Sequence, residues 1–130
     1  MGAVTYDEGK WPLLRVVMPG AINDAELDAH HSKLSQYIHR GQMMGMVVDS
    51  RQMPPLTPEA RKRTSEFIKT HSNVAKDNVA AIGLVHASAI QTHVLTAILW
   101  IVKPPVLIKV FNNVDSAEEW VNEKLSARKV

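Results

Sequence analysis

The apolar positions of this chain fall into short runs that alternate with helical stripes. Residues 13–18 (LLRVVM) are mostly apolar and are closed by Pro19 and Gly20, which predicts a strand and a turn. Asn23 can cap a following helix whose first turn holds Asp24, Glu26 and Asp28, acids that suit the positive end of a helix dipole. Leu27, His31, Leu34 and Ile38 then make an i, i+4, i+7, i+11 stripe, and Gly41 stands where a C-terminal cap belongs. Residues 44–49 (MGMVVD) are a continuous apolar run ending in a carboxylate, the pattern of a central strand covered on both faces.

The second half repeats the alternation. Pro54 and Pro55 enforce an extended loop, and Thr57-Pro58-Glu59 supplies an N-cap, a proline at the first helical position and an early acid. The helix this opens is predicted to reach about His71, with Ala60, Thr64, Phe67, Ile68 and His71 on one face. Residues 79–85 read as a second buried strand. Ser88 can cap a helix running to residue 102 that is apolar nearly all round, through Ile90, Val94, Leu95, Ile98, Leu99 and Trp100. Pro104 and Pro105 stop it, residues 106–111 form a last β-branched strand, and an Asn112-Asn113 turn leads to an amphipathic helix over 116–125 carrying Trp120. Residues 4–10 add an edge strand, or else 1–12 form an N-terminal arm. Strands alternating with helices imply an α/β domain with a mostly parallel sheet and right-handed crossovers.

Composition narrows the function classes. A chain of 130 residues is expected to be one domain, with 45% hydrophobic and 22% charged residues in the ordinary globular range. The net charge of +2 includes no concentrated basic stripe, and aromatics make up 5%, so nucleic acid is not the expected partner. The absence of cysteine excludes disulfides, thiol catalysis and cysteine-based zinc sites. The first residues lack the apolar segment of a secretory signal, and the apolar run at 94–102 is too short to span a bilayer. Cytoplasmic placement is therefore expected.

Candidate chemistry gathers at strand ends. Asp49 closes a core strand at its carboxyl end, where ligands of open α/β sheets collect, and Ser50, Arg51, His86 and Ser88 can join it there. Asp49, His86 and Ser88 together suggest a hydrolase, but the strained Gly-x-Ser-x-Gly elbow is absent. An Asp49–Arg51 bond that organises the loop is the simpler reading. The six histidines show no HxxxH or HExxH spacing, so neither a metal nor a cofactor is expected; His30 and His31 point about 100° apart on their helix and His39 falls on the opposite face. Arg61-Lys62-Arg63 fans around a helix start, a solvated face by default and a steering surface for an acidic partner otherwise.

The stretch 13–125 resembles the STAS fold, the family of bacterial anti-sigma-factor antagonists and related sulfate-transporter domains. It is closer to the variant grouped with lipid-binding Sec14-like domains. The resemblance is carried by the first strand with its Gly20 turn and capped helix, the core strand ending in Asp49, the long helix after it, and the ending VFNNVDSAEEWV. It implies four or five strands with four helices packed mainly on one face. It also implies a non-catalytic protein-interaction module in bacterial regulation. The family's phosphorylatable Asp-Ser-Ser-Gly-like loop is replaced here by residues 50–58, with Ser50 too early and Thr57 not followed by glycine. A phosphate on Thr57 would suit a helix N-terminus, but a plain N-cap is the simpler role. The helix at 88–102 needs a cover for its second apolar face, Leu95, Leu99 and Val102, and Leu95, Leu99 and Trp100 are the candidate contacts. The alternatives are a second copy of the chain as a homodimer, a different protein, a small apolar ligand or lipid held beneath the helix, or the N-terminal arm with Trp11.

Overall fold

In the computed structural model, which describes residues 3–54, 57–87 and 106–128, the chain begins with two strands, β1 (Thr5–Lys10) and β2 (Leu13–Val17). Helix α1 (Asp24–Ile38), strand β3 (Met44–Asp49), helices α2 (Pro58–Thr70) and α3 (Ser72–Asn78), strands β4 (Val79–Val85) and β5 (Ile108–Phe111), and helix α4 (Val114–Arg128) follow. The sheet order is β1-β2-β3-β4-β5. β1 runs antiparallel to β2, and every other neighbouring pair is parallel. Residues 4–10 thus contribute an edge strand, one rich in charge, as exposed edges need to be. The helix expected at 88–102 lies outside the described residues.

Strand alternation divides the core in two. Leu14, Val16, Met44, Met46 and Val79 face α1, where Tyr37 and Ile38 close over them. Half-buried Phe67 of α2 and Val74 and Ala75 of α3 pack on the same cluster, so three of the four described helices share this side. Leu13, Val47, Ala80, Ala81 and Val85 face the other way, against Ala117, Val121 and Leu125 of α4. That second contact is unusually close. A Cβ on Gly45 would fall against Val121 Cγ1 and lie 3.2 Å from Leu125 Cδ1, and one on Gly83 would lie 3.1 Å from the Ala117 Cβ. α4 is further tied to the sheet by Glu118, 91% of whose surface is covered, which accepts from Arg15 and from Lys10 at 3.0 Å. At its far end Arg128 donates to the carbonyl of Val79 at 3.2 Å.

Three local expectations are corrected, and one element is added. The helix from Thr57 ends at Thr70 with His71 (φ −104°, ψ 10°) as its C-cap, as expected, and a separate seven-residue helix that the sequence pattern did not announce follows it. Ser72 Oγ donates to the Lys69 carbonyl at 3.0 Å, the local side-chain bond by which serine competes with helix continuation. Ile68, placed on the buried face by periodicity, is 37% exposed. The last helix starts at Val114, two residues before Ser116, because Asn113 Oδ1 accepts from Ser116 N at 2.8 Å and caps it. On α1, His30 is buried and His31 only half so, since β1 brings Tyr6 across the helix: Tyr6 Oη and His30 Nδ1 are 2.7 Å apart.

Burial, and then the neighbouring His31, push the His30 imidazole down to about 4 from the ordinary 6.5. A histidine whose folded pKa is depressed contributes stability above its unfolded pKa and loses it as pH falls towards the folded one. The unfolding free energy should therefore fall between about pH 6.5 and pH 4, His30 adding a limiting slope of ~1.4 kcal/mol per pH unit. Urea titrations across this range should show that slope in the native chain and a flatter one in His30→Gln. Gly45→Ala should cost about 1–3 kcal/mol, as overpacked cores do, read as a lower urea midpoint with far-UV circular dichroism unchanged; an unchanged midpoint would mean α4 can lift off the sheet freely.

Candidate functional site at the carboxyl edge of the sheet

The parallel strands end together. Val17 lies opposite Asp49, Asp49 opposite Val85, and Val85 opposite Phe111. The ladder continues one step beyond, with Met18 N donating to Asp49 O, Ser50 N to Val85 O and His86 N to Phe111 O, each at 2.9 Å. This places Asp49, Ser50 and His86 at one edge, as their positions after core strands require. Asp49 and Val85 share a register position, so His86, one residue on, belongs to the opposite face by strand alternation.

Asp49 is instead occupied by Arg51. The guanidinium donates from Nε to Oδ1 at 2.9 Å and from Nη2 to Oδ2 at 2.7 Å, and the Arg51 backbone N–H reaches Oδ1 at 3.2 Å. Such a two-point clasp between planar groups is among the stronger side-chain pairings. Arg51's hydrogen bonds, outweighing the effect of burial, hold the Asp49 carboxyl below the usual carboxylate range. The buried Ser50 accepts at its carbonyl from Met53 N at 3.1 Å, so the loop turns tightly on leaving the strand.

Beyond the clasp the loop runs to α2. Thr57 Oγ1 accepts from Ala60 N at 3.1 Å, which makes Thr57 an N-cap. Asn23 caps α1 in the same manner, its Oδ1 accepting from Glu26 N while Glu26 Oε1 accepts from Asn23 N. A groove of about 360 Å³ lies between these two helix starts, floored by Ile22, Leu27, Met53 and Ala60. Gly20, with φ +145°, turns the β2–α1 connection beside the Gln52 carbonyl.

The basic run at the start of α2 is divided in use. Arg63 spans to α1, with Nη1 2.7 Å from Asp28 Oδ2 and Nε 3.4 Å from Glu59 Oε1. Arg61 and Lys62 are exposed. Of the sequence-derived candidates, the structure therefore assembles Asp49, Ser50, Arg51, Thr57, Arg61 and His86 along one edge and the helix it leads into. Ser88, Leu95, Leu99 and Trp100 lie outside the described residues. Sequence reasoning missed the groove, because Ile22, Leu27, Met53 and Ala60 come from three segments and share no local pattern. It also missed the Arg63 bridge, although Asp24 and Asp28 at i, i+4 marked an acidic stripe awaiting a cation.

Among the described residues, a five-stranded sheet with an antiparallel first strand, three helices on one side and a closing helix on the other is the arrangement of a STAS-type domain. The chain belongs to the SpoIIAA-like family, whose model matches residues 13–122. Among solved structures it is similar to an uncharacterized protein with a SpoIIAA-like fold from Shewanella loihica PV-4. The two are 12% identical over 92% of each chain, with a TM-score of 0.71. No curated protein matches the chain. No helix among the described residues is long and apolar enough to cross a membrane.

A depressed carboxylate pKa stabilises the fold above the unfolded value, about 3.9 for aspartate, and that stability is lost as pH falls through the folded value. In a carbon-detected NMR titration the Asp49 carboxyl should have a midpoint below the ordinary range. Arg51→Ala should move it upward; an unmoved midpoint would show that the clasp does not form in solution.

Proposed function

We propose that this domain is a non-catalytic protein-interaction module, similar in role to the anti-sigma-factor antagonists of its wider family, and that it docks partners through residues 49–54 and the first turns of α2. The observation that carries this reading is the Asp49–Arg51 clasp. The Asp49 carboxylate at the strand-end edge has both oxygens engaged, so it acts as a fastener for a preformed loop and not as a general base. Family membership supports the same reading. Thr57 serves as a helix cap, and the loop lacks the family's serine-glycine arrangement, so docking here does not depend on the usual phosphorylation switch.

The surface suits a partner with acidic groups around an apolar contact. Arg51, Arg61 and Lys62 are exposed beside a groove with an apolar floor. Apolar burial would supply the affinity, and the basic side chains would steer the approach. The apolar segment 88–102 is proposed to extend this surface or to pair two copies of the chain, a role resting on its sequence alone.

A photo-crosslinking residue at position 61, used in cells that naturally express the protein, should capture one defined adduct. The same residue at position 124, on α4, should capture little. The adduct's mass then tells a second copy from a different protein. Equal capture at both positions, or capture at 124 alone, would overturn the assignment of the docking face.

A further inference from the structure

At the other end of the helical layer, two histidines distant in sequence meet. His39 caps the C-terminus of α1, and His71 stands between α2 and α3. Their backbones are anchored, since His39 N donates to Ser35 O at 3.0 Å and His71 N to Phe67 O at 3.1 Å. The His71 ring packs on Phe67, with centroids 4.7 Å apart. The two rings meet edge to face at 83°, with His39 Nε2 and His71 Nδ1 3.3 Å apart in an exposed contact.

That separation has a chemical meaning. Two imidazole nitrogens bound to one tetrahedral zinc ion at 2.0–2.1 Å stand about 3.3–3.4 Å from each other. We propose that His39 Nε2 and His71 Nδ1 form a two-imidazole site for a borderline divalent transition ion of the zinc, nickel or copper class. The site does not depend on the docking surface proposed above, which lies at the opposite end of the sheet.

Three further features fit. His39 sits at the C-terminus of α1, where the negative end of the backbone dipole favours a cation, while His71 lies between the C-terminus of α2 and the N-terminus of α3. Neutral imidazole is a good ligand for this class of ion, and the lack of cysteine leaves histidine as the chain's strongest ligand type. A groove of about 250 Å³ lined by His31, Ser32, Ser35, Phe67 and His71 opens beside His71. Among the described residues no group of three or more His, Cys, Asp or Glu is placed to hold an ion, so those residues supply two ligands, His39 and His71. Water, or a donor from a partner, completes the site.

Without the ion, one ring N–H bridges the two nitrogens. For both to ligate, the donor ring adopts its other tautomer, its proton moving to His39 Nδ1 or His71 Nε2. No net proton is released when both rings start neutral. Because the ion joins the end of α1 to the α2–α3 junction, binding stabilises the helical layer by linkage.

The test is a Zn²⁺ titration of the chelator-treated full chain by calorimetry, with melting temperature read alongside. One equivalent should bind and raise the melting temperature. His39→Gln and His71→Gln should each weaken binding about tenfold or more, since losing a ligand costs no less than losing a ligand's outer partner. Both positions are at the surface, and circular dichroism of the metal-free variants checks that they fold. Should either variant fail to fold, the histidine-ring ¹⁵N spectrum of the native chain decides, because Zn²⁺ must shift His39 Nε2 and His71 Nδ1. No binding at millimolar Zn²⁺, undiminished binding by both folded variants, or ring shifts confined to other histidines would overturn the site.

Discussion

The close approach of α4 to the middle of the sheet is the constraint on which the other contacts depend. Gly45 and Gly83, on adjacent strands, present bare backbone to Val121, Leu125 and Ala117. Ala80 and Ala81 continue the small-residue surface. A helix seated this deep reaches both halves of the domain. Its Glu118 gathers Arg15 from β2 and Lys10 from the end of β1, and its Arg128 reaches the start of β4. The first and last elements of the chain are thereby fastened to the same central strands. A buried carboxylate such as Glu118 is tolerable because two cations meet it.

With the sheet fixed from that side, the opposite layer determines what each end of the molecule offers. The parallel strands deliver every following segment to one edge, so the N-termini of α1 and α2 lie together and their C-termini lie together at the far end. Side-chain caps, a carboxylate clasp and an apolar groove occupy the first edge. Imidazoles and helix C-termini occupy the second. Two chemically different ends thus arise from one topological rule, that parallel strands joined by helices all run the same way.

Much of this was legible in the sequence, and for physical reasons. Asn23, Thr57 and the 44–49 strand were readable because a cap or a doubly covered strand is a local pattern, complete within six residues. The Asp49–Arg51 pair was readable because both partners lie on one turn. The helix after His71 was not, because seven residues are too few to show a period. Neither was the burial of His30. Periodicity on α1 marked His31, but Tyr6 of the edge strand decides which histidine is covered, and that strand's position over α1 is a tertiary fact. The His39–His71 contact is illegible for the same reason, its partners being 32 positions apart.

The two cores differ in the size and shape of what fills them. On the α4 side, glycine, alanine and valine leave no slack for a larger group. On the α1 side, Met18 and Met46, joined by half-buried Met53, supply long unbranched side chains that can take other rotamers when a neighbour changes. One face of the sheet therefore behaves as a chassis and the other as an adjustable mount. Substitutions that retune the loop after Asp49 or the first turns of α2 can be absorbed by the methionine layer beneath them, while the packed face keeps the strands aligned. New binding preferences can accumulate on such a domain without its architecture being renegotiated.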